Sequence, residues 1–232
     1  MTVTGVLFDF SGTLFRIESP TAWLRHAARR RGLALGDGDL TRLAAALAAA
    51  GAQPGGPPPR AVPPRLAGAW AYRDRSAAEH RAAYLGLARE VPLPDRTLYG
   101  ALYARHMDPG AWLPYPDAAG VLAALRERGT PVAVVSNIGW DPRPVFRAHG
   151  LHAFVDAYVL SYEHGVQKPD ARLFRAACRA IGRRPEDVLM VGDSAAADGG
   201  AAAIGCTVRL VEARPVDERP DALRRALDEA AA

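Results

Sequence analysis

Five short apolar runs, rich in β-branched residues, recur along the chain. They cover residues 3–8, 131–135, 155–160, 188–191 and 207–211. Their near-continuous hydrophobicity predicts strands that are buried on both faces, as in a parallel sheet. Helical patterns lie between the later runs, at 117–129, 142–149, 170–181 and 195–204, and a glycine closes each of them. This alternation of strand and helix predicts a doubly wound α/β domain.

Residues 16–112 break the alternation. Their pattern predicts helices only, at about 20–31, 39–50, 76–90 and 95–107. The stretch GAQPGGPPPRAVPP at 51–64 predicts a loop, because proline and glycine dominate it. The simplest organisation is a core made of residues 1–15 and 113–232, with an all-helical module of residues 16–112 inserted after the first strand.

Composition narrows the class of protein. The chain has 232 residues, of which 49% are hydrophobic and 23% charged, as is ordinary for a globular protein. The net charge of +4 favours an anionic substrate, but no long basic run with interleaved aromatics points to nucleic acid. We expect no membrane span, since no apolar segment approaches about 20 residues. The N-terminal run has no basic leader, so we expect a cytoplasmic protein. Cys178 and Cys206 have neither disulfide nor metal spacing, so we expect both to be buried thiols in a reducing compartment.

Polar residues follow four of the five predicted strands. They are Asp9, Ser11, Gly12 and Thr13 after the first, Ser136 and Asn137 after the second, Lys168 beyond the third, and Asp193 and Asp198 after the fourth. Each group alone is typical of a helix cap, a turn or a solvated surface. Because ligands of open α/β sheets bind beyond the carboxyl ends of the strands, the four groups together predict an active site.

Lys168 is the only lysine of the sequence, whereas arginine occurs 28 times. In a composition so biased towards arginine, one remaining lysine indicates a place where a guanidinium cannot substitute for a compact ammonium. We therefore expect Lys168 to have a functional role in the active site.

The four motifs FDFSGTLF, VVSN, QKPDARLF and VLMVGDSAAADGGAAAIG, in this order, resemble those of the haloacid dehalogenase superfamily of hydrolases. The resemblance covers residues 1–15 and about 113–215. It implies a Rossmann-like core with a helical cap inserted after the first strand, which matches the predicted module at 16–112.

The resemblance also implies a role for each polar group. Asp9 would attack phosphorus and form an aspartyl-phosphate, which water then hydrolyses. Mg²⁺ would neutralise the meeting anions, held at a metal site of Asp9, Asp193 and the backbone carbonyl of Ser11, to which Asp198 would contribute by steadying a metal-bound water, or Asp198 would pair with Lys168. The expected phosphoryl-binding group is Ser136, Asn137, Gly12 and Thr13, although Thr13 is better suited to bracing its loop. Lys168 would screen Asp9 and the transferred group.

Ser11 departs from the family pattern. Phosphatases of this superfamily commonly carry a second aspartate at this position, which protonates the leaving oxygen and then deprotonates the attacking water. A serine hydroxyl exchanges no proton readily at neutral pH, and loss of general acid–base help typically costs about 10²–10⁴-fold in rate. The candidates elsewhere in the chain for this role are His164, Glu163, Asp141, His26, His80 and His106.

Three functions are compatible with these residues. The first is a Mg²⁺-dependent phosphohydrolase acting on a small phosphorylated metabolite, with a good leaving group or with an acid from elsewhere. The second is a 2-haloacid dehalogenase, because halide leaves without a proton, although two further acids beside the nucleophile would oppose a metal-free attack. The third is a phosphate-binding module of low turnover. Phosphonate cleavage through a Schiff base is disfavoured, because the cap contains no lysine.

The cap sequence says little about the substrate. Its aromatic residues, Trp23, Trp70, Tyr72, Tyr84 and Tyr99, occur at helical positions that are typical of a cap core. Arg25, Arg73 and Arg81 are candidates for a second anionic group. We expect hinges near Phe15-Arg16 and Pro109-Gly110-Ala111, about which the cap closes. The oligomeric state is not readable from the sequence.

Overall fold

The computed structural model describes residues 3–231, and its centre is a parallel sheet of five strands in the order β5-β4-β1-β6-β7. A separate antiparallel ribbon joins β2 to β3. The strands are β1 (Gly5–Phe8), β2 (Phe15–Ile17), β3 (Trp112–Pro114), β4 (Val132–Ser136), β5 (Ala157–Leu160), β6 (Val188–Gly192) and β7 (Thr207–Leu210). The predicted α/β class and parallel sheet are confirmed.

Among the described residues 3–231, ten α-helices surround the sheet and form the cap. They are α1 (Pro20–Arg30), α2 (Asp37–Ala49), α3 (Ala67–Ala71), α4 (Ala77–Ala88), α5 (Thr97–His106), α6 (Ala118–Glu127), α7 (Arg143–Ala148), α8 (Ser161–His164), α9 (Ala171–Ala180) and α10 (Ala222–Ala231). The helix predicted at 195–204 is instead a 3₁₀-helix, Asp198–Ile204. Shorter 3₁₀ turns are Pro64–Leu66, Pro109–Ala111, His152–Phe154, Pro185–Asp187 and Val216–Glu218. Within residues 3–231, no helix is long and apolar enough to cross a bilayer.

Both faces of the sheet are covered, which explains why its strands lack polar alternation. Successive residues of β1 point to opposite sides, so Val6 and Phe8 pack towards α6, α7 and α10, while Leu7 packs towards α9. The two cysteines lie in the second of these cores as free, buried thiols, as predicted.

The position of β1 in the sheet determines where the active site lies. It lies between β4 and β6, with Val6 opposite Val132 on one side and Leu189 on the other. The chain leaves β1 towards β4 and leaves β6 towards β7, so connections diverge between β1 and β6. Such a switch point opens a crevice at the carboxyl ends of the strands.

The cap consists of α1–α5 around its own apolar core, which includes Trp23, Leu43, Leu47 and Leu102. Its first and last segments are joined at the base, where the Arg105 guanidinium donates to both carboxylate oxygens of Glu18 at 2.6 and 2.9 Å. This bidentate pair is buried and so holds the two ends of the insertion together.

The connection between core and cap was not foreseen. The expected hinges near Phe15 and Ala111 lie at the start of β2 and just before β3, in or beside a hydrogen-bonded ribbon. Each ribbon strand has three residues, too few to show an alternating pattern. The boundaries predicted after residues 15 and 112 fall inside this ribbon and remain a prediction. Helices α3, α8 and α10 were also missed, the first two because they are so short.

Candidate active site

A cavity of ≈ 260 Å³ lies at the carboxyl ends of the strands, between the core and the cap. Its floor comes from the loops after β1, β4 and β6, and from the segment that precedes α9. Its cover comes from the cap, including the proline- and glycine-rich loop. The predicted core residues on its wall are Asp9, Ser11, Ser136, Asn137, Lys168, Asp193 and Asp198.

Asp9 directly follows the buried strand β1. Its backbone N–H donates to the Val191 carbonyl at 2.9 Å, which continues the pairing of β1 with β6 and fixes the carboxyl at the strand tip. Burial raises the pKa of Asp9 to about 7; Lys168 opposes this rise, and the charges of Asp198 and Asp193 add to it. Lys168 alone therefore does not offset the effect of burial and of the two neighbouring acids on this carboxyl.

Lys168 is the cation of the site and is buried. Its Nζ donates to Asp9 Oδ1 at 2.7 Å, to Asp198 Oδ1 at 2.5 Å and to the Val135 carbonyl at 3.0 Å. Burial by itself would lower the pKa of Lys168, but the two carboxylates outweigh it and raise the pKa above its usual range. Asn137 fixes the main chain of this lysine, because its amide group donates to the Lys168 carbonyl and accepts from the Lys168 N–H.

The three acids Asp9, Asp193 and Asp198 converge, each offering an oxygen within 4.8 Å of the others. Burial and the charge of Asp198 raise the pKa of Asp193. Three carboxylates meet one ammonium, so two negative charges remain uncompensated, which is the charge that one divalent cation cancels. Carboxylate oxygens are the ligands that Mg²⁺ prefers, and the donor set therefore fits this ion.

The loop after β1 is shaped around this acid cluster. Gly12 has φ = +82°, and a Cβ at this position would lie 2.3 Å from Asp193 Oδ2. Any larger residue would be strained and would displace the acid. The Ser11 side chain faces the cap, where a Cβ on Gly55 would lie 2.9 Å from its Oγ.

Thr13 differs from its predicted role in phosphoryl binding. Its side chain is completely buried and its Oγ1 has no hydrogen-bond partner. The carbonyls of Gly12 and Thr13 both accept from the buried guanidinium of Arg219, at 2.7 Å for Gly12. Arg219 therefore braces the loop from the C-terminal segment, and no motif in the sequence identified it.

Most of the alternative acids do not line the cavity. Of the six candidates, all within the described residues, His80 lies on the cavity wall and the other five lie elsewhere. Burial and the charge of Arg73 lower the pKa of His80 to about 3, so its imidazole is neutral. His80 Nδ1 lies 2.8 Å from the Tyr103 hydroxyl.

The upper wall of the cavity is aromatic. It includes two predicted cap residues, Trp70 and Tyr84, and two unpredicted residues, Trp112 and Trp140. Arg73 is also on the wall, with its guanidinium 4.0 Å from the centre of the Trp70 ring. Asp74, beside it, is a further unpredicted member, since an acid in a cap turn carries no sequence signal.

Comparisons with known proteins agree with the α/β fold. The family model of the haloacid dehalogenase-like hydrolases matches residues 3–205. A glyceraldehyde 3-phosphate phosphatase of Methanopyrus kandleri is 36% identical over 124 residues, 52% of this chain and 53% of that protein. The (S)-2-haloacid dehalogenase 1 of a Pseudomonas species is 38% identical over 98 residues, 41% and 43% of the two chains. The chain thus spans about half the length, or less, of these curated relatives.

A solved structure shows the same fold. The L-2-haloacid dehalogenase of Xanthobacter autotrophicus superposes with a TM-score of 0.63 at 22% identity, covering 100% of this chain and 85% of its own. At this level of identity the likeness concerns the fold alone.

Proposed function

This chain belongs to the haloacid dehalogenase-like hydrolases, and we propose that it is a Mg²⁺-dependent phosphohydrolase of a small phosphorylated metabolite. The observation that carries the proposal is the convergence of Asp9, Asp193 and Asp198 within 4.8 Å around a single ammonium. The resemblance to the glyceraldehyde 3-phosphate phosphatase supports a phosphate ester as substrate.

Asp9 is the proposed nucleophile. Lys168 holds its Oδ1, which leaves Oδ2 to attack phosphorus. The new bond joins Asp9 to the phosphoryl group as the bond to the leaving oxygen breaks, and water then releases phosphate and restores the carboxylate. Mg²⁺ bound by Asp9, Asp193, Asp198 and the Ser11 carbonyl would supply the positive charge that this meeting of anions requires.

The remaining residues orient the phosphoryl group. Ser136 is buried at the end of β4 and lines the cavity, so its hydroxyl is available to a phosphoryl oxygen. Asn137 presents its backbone beside it, while its side chain holds the Lys168 main chain. Gly12 contributes by leaving room for Asp193, and Thr13 by packing inside the loop.

A second candidate is 2-haloacid dehalogenation, which one specific observation favours. Ser11 occupies the usual position of the proton donor, and a halide leaves without a proton. The match to a (S)-2-haloacid dehalogenase is consistent with it. In that reaction Asp9 would attack carbon, displace halide and form an ester that water cleaves. The uncompensated acid cluster makes this the weaker candidate, since a carboxylate beside the nucleophile opposes its attack without a cation.

The test is phosphate release from a panel of phosphate esters and anhydrides, measured in Mg²⁺ and in EDTA. We expect Mg²⁺-dependent turnover that is lost in Asp9→Asn and retained in Asp37→Asn, an exposed cap acid. The same preparations are given 2-haloacids, and halide release is measured. Halide release that persists in EDTA, without phosphate release from any compound, would establish the dehalogenase instead. The cytoplasmic location remains a prediction.

A further inference from the structure

Asp74 is an acid of the cap that faces the same cavity as Asp9 and Lys168. It lies in the turn between α3 and α4 and is only 4% exposed. The position is unusual, because an aspartate in a turn is ordinarily solvated or caps a helix. Here the cap of α4 is Ser76, whose hydroxyl accepts from the Glu79 N–H, so Asp74 is free of that role.

Contacts with the core hold this turn over the site. The Ser161 hydroxyl, at the end of β5, donates to the Asp74 carbonyl at 2.5 Å. The Gln167 side chain, next to Lys168, donates to the Ala71 carbonyl at 3.0 Å. One hydrogen bond to Asp74 itself and one to Ala71, three residues earlier, thus position this segment relative to the floor of the cavity.

The Asp74 carboxyl is poorly paired for a buried acid. Its nearest cation is Arg73, with Nε 3.4 Å from Oδ2, beyond good hydrogen-bond distance, and Arg73 Nε has no hydrogen-bond partner. Burial raises the pKa of Asp74, and the charges of Arg73 and Lys168 only partly oppose this. The proton is therefore held more tightly than on an ordinary aspartate.

The other ionisable groups that face this acid serve less well as proton donors. His80 is neutral, because its pKa is lowered to about 3. Burial raises the pKa of Tyr84 beyond its usual range, and the Arg73 guanidinium lies over the Trp70 ring. Lys168 is bound to Asp9 and Asp198. A buried carboxyl with a raised pKa, on the wall of the cavity that holds the nucleophile, is the kind of group that serves general acid catalysis near neutral pH.

We propose that Asp74 is the general acid–base of this hydrolase and performs the proton transfers that Ser11 cannot. The inference rests on the proposed phosphohydrolase function. As Asp9 attacks phosphorus and the ester P–O bond breaks, the Asp74 proton moves to the leaving oxygen, which departs as an alcohol. The Asp74 carboxylate then takes a proton from the attacking water, the bond between Asp9 and phosphorus breaks, and phosphate is released. One water is consumed, and both aspartates return to their starting states.

The proposal predicts a dependence on the leaving group. Two aryl phosphates are suitable probes, because the cavity wall is aromatic. Phenyl phosphate releases a strongly basic phenoxide that requires a proton, whereas 2,4-dinitrophenyl phosphate releases a weakly basic one that does not. In Asp74→Asn we expect kcat/KM for phenyl phosphate, which reports the transfer to Asp9, to fall by about 10²–10⁴-fold. The kcat/KM for the dinitrophenyl ester should change little, because its first step needs no proton, whereas its kcat should fall because the attacking water loses its base.

Two further variants complete the experiment. Asp37→Asn, the same change at an exposed position of the cap, should leave both rates unaltered. Ser11→Asp in the otherwise native protein tests the role without changing Asp74. If Asp74 already donates the proton, the added acid should accelerate the hydrolysis of phenyl phosphate by less than about 10-fold. If the native site has no acid, the acceleration should be about 10²–10⁴-fold.

The outcomes separate the two proposals. Equal loss of kcat/KM for both esters in Asp74→Asn, no loss for either, or a large acceleration by Ser11→Asp would each overturn the role of Asp74 and leave the phosphohydrolase intact. If the native protein released phosphate from neither ester and from no member of the wider panel, the proposed function would fail, and the role of Asp74 with it.

Discussion

Asp193 and Asp198 belong to the same acid cluster, yet their replacement by asparagine should change stability in opposite directions. Both carboxylate oxygens of Asp198 have a partner. Lys168 Nζ lies 2.5 Å from Oδ1, and the Ser194 N–H donates to Oδ2 at 2.9 Å. Asp193 pairs with no cation within 4 Å among residues 3–231, and its pKa is raised by burial and by Asp198. In metal-free buffer at pH 8, Asp193→Asn should stabilise the protein and Asp198→Asn should destabilise it.

The magnitudes follow from the geometry. Two unit charges no more than 4.8 Å apart repel by at least about 3.5 kcal/mol at an effective dielectric constant of about 20. Solvation and partial protonation relieve some of this, so we expect Asp193→Asn to raise the free energy of unfolding by about 1–3 kcal/mol. Removing one partner of a buried ion pair typically costs about 3–5 kcal/mol, which is the expected loss in Asp198→Asn.

Magnesium should reverse the advantage of the first variant. An ion at 100 times its Kd stabilises the folded state by about 2.7 kcal/mol, and each kcal/mol shifts Tm by about 2–4 °C in a chain of this size. The native protein should therefore gain several degrees on addition of Mg²⁺, and Asp193→Asn should gain little.

Thermal unfolding in EDTA and in a Mg²⁺ series, with urea unfolding at 25 °C, measures both effects. The exposed change Asp37→Asn serves as the matched control. If Asp193→Asn destabilised the metal-free protein, or kept the full Mg²⁺-dependent rise in Tm, the assignment of excess negative charge to this cluster would be wrong.

Further predictions concern pH, the cap interface and the loop after β1. Burial raises the folded-state pKa of Asp9 to about 7, so between about pH 4 and 7 the metal-free protein binds more protons when folded than when unfolded. Its free energy of unfolding should therefore fall as the pH rises through this range. Urea titrations at several pH values measure this, and a rise in the free energy of unfolding would contradict it. In Gly139→Ala, whose Cβ would lie 2.2 Å from His80 Cβ across the cap interface, KM should increase, whereas Gly120→Ala, in open space on α6, should have a native KM. Arg219→Lys should lower kcat and cost about 1–3 kcal/mol in urea unfolding, because buried carbonyls lose their donors; unchanged kcat would remove Arg219 from the support of the nucleophile loop.

The candidate site shows where prediction from sequence stops. Asp9, Asp193 and Lys168 were recognisable because each occupies a strand end or stands out by composition, and the parallel sheet brings such positions to one edge. Asp74, Trp140 and Arg219 have no such marker. They reach the cavity or its loop only through packing between segments that are far apart in the chain.

The sequence alone determined the alternation of buried strands and helices, the inserted helical segment and the residue types at the strand ends, because hydrophobic period and turn chemistry are local properties. Tertiary structure decided which acids share a cation, which loop covers them and which cap residue faces the nucleophile. These depend on distances between segments separated by up to 207 residues, as between Gly12 and Arg219, and such distances are set by packing and burial rather than by neighbours in the chain.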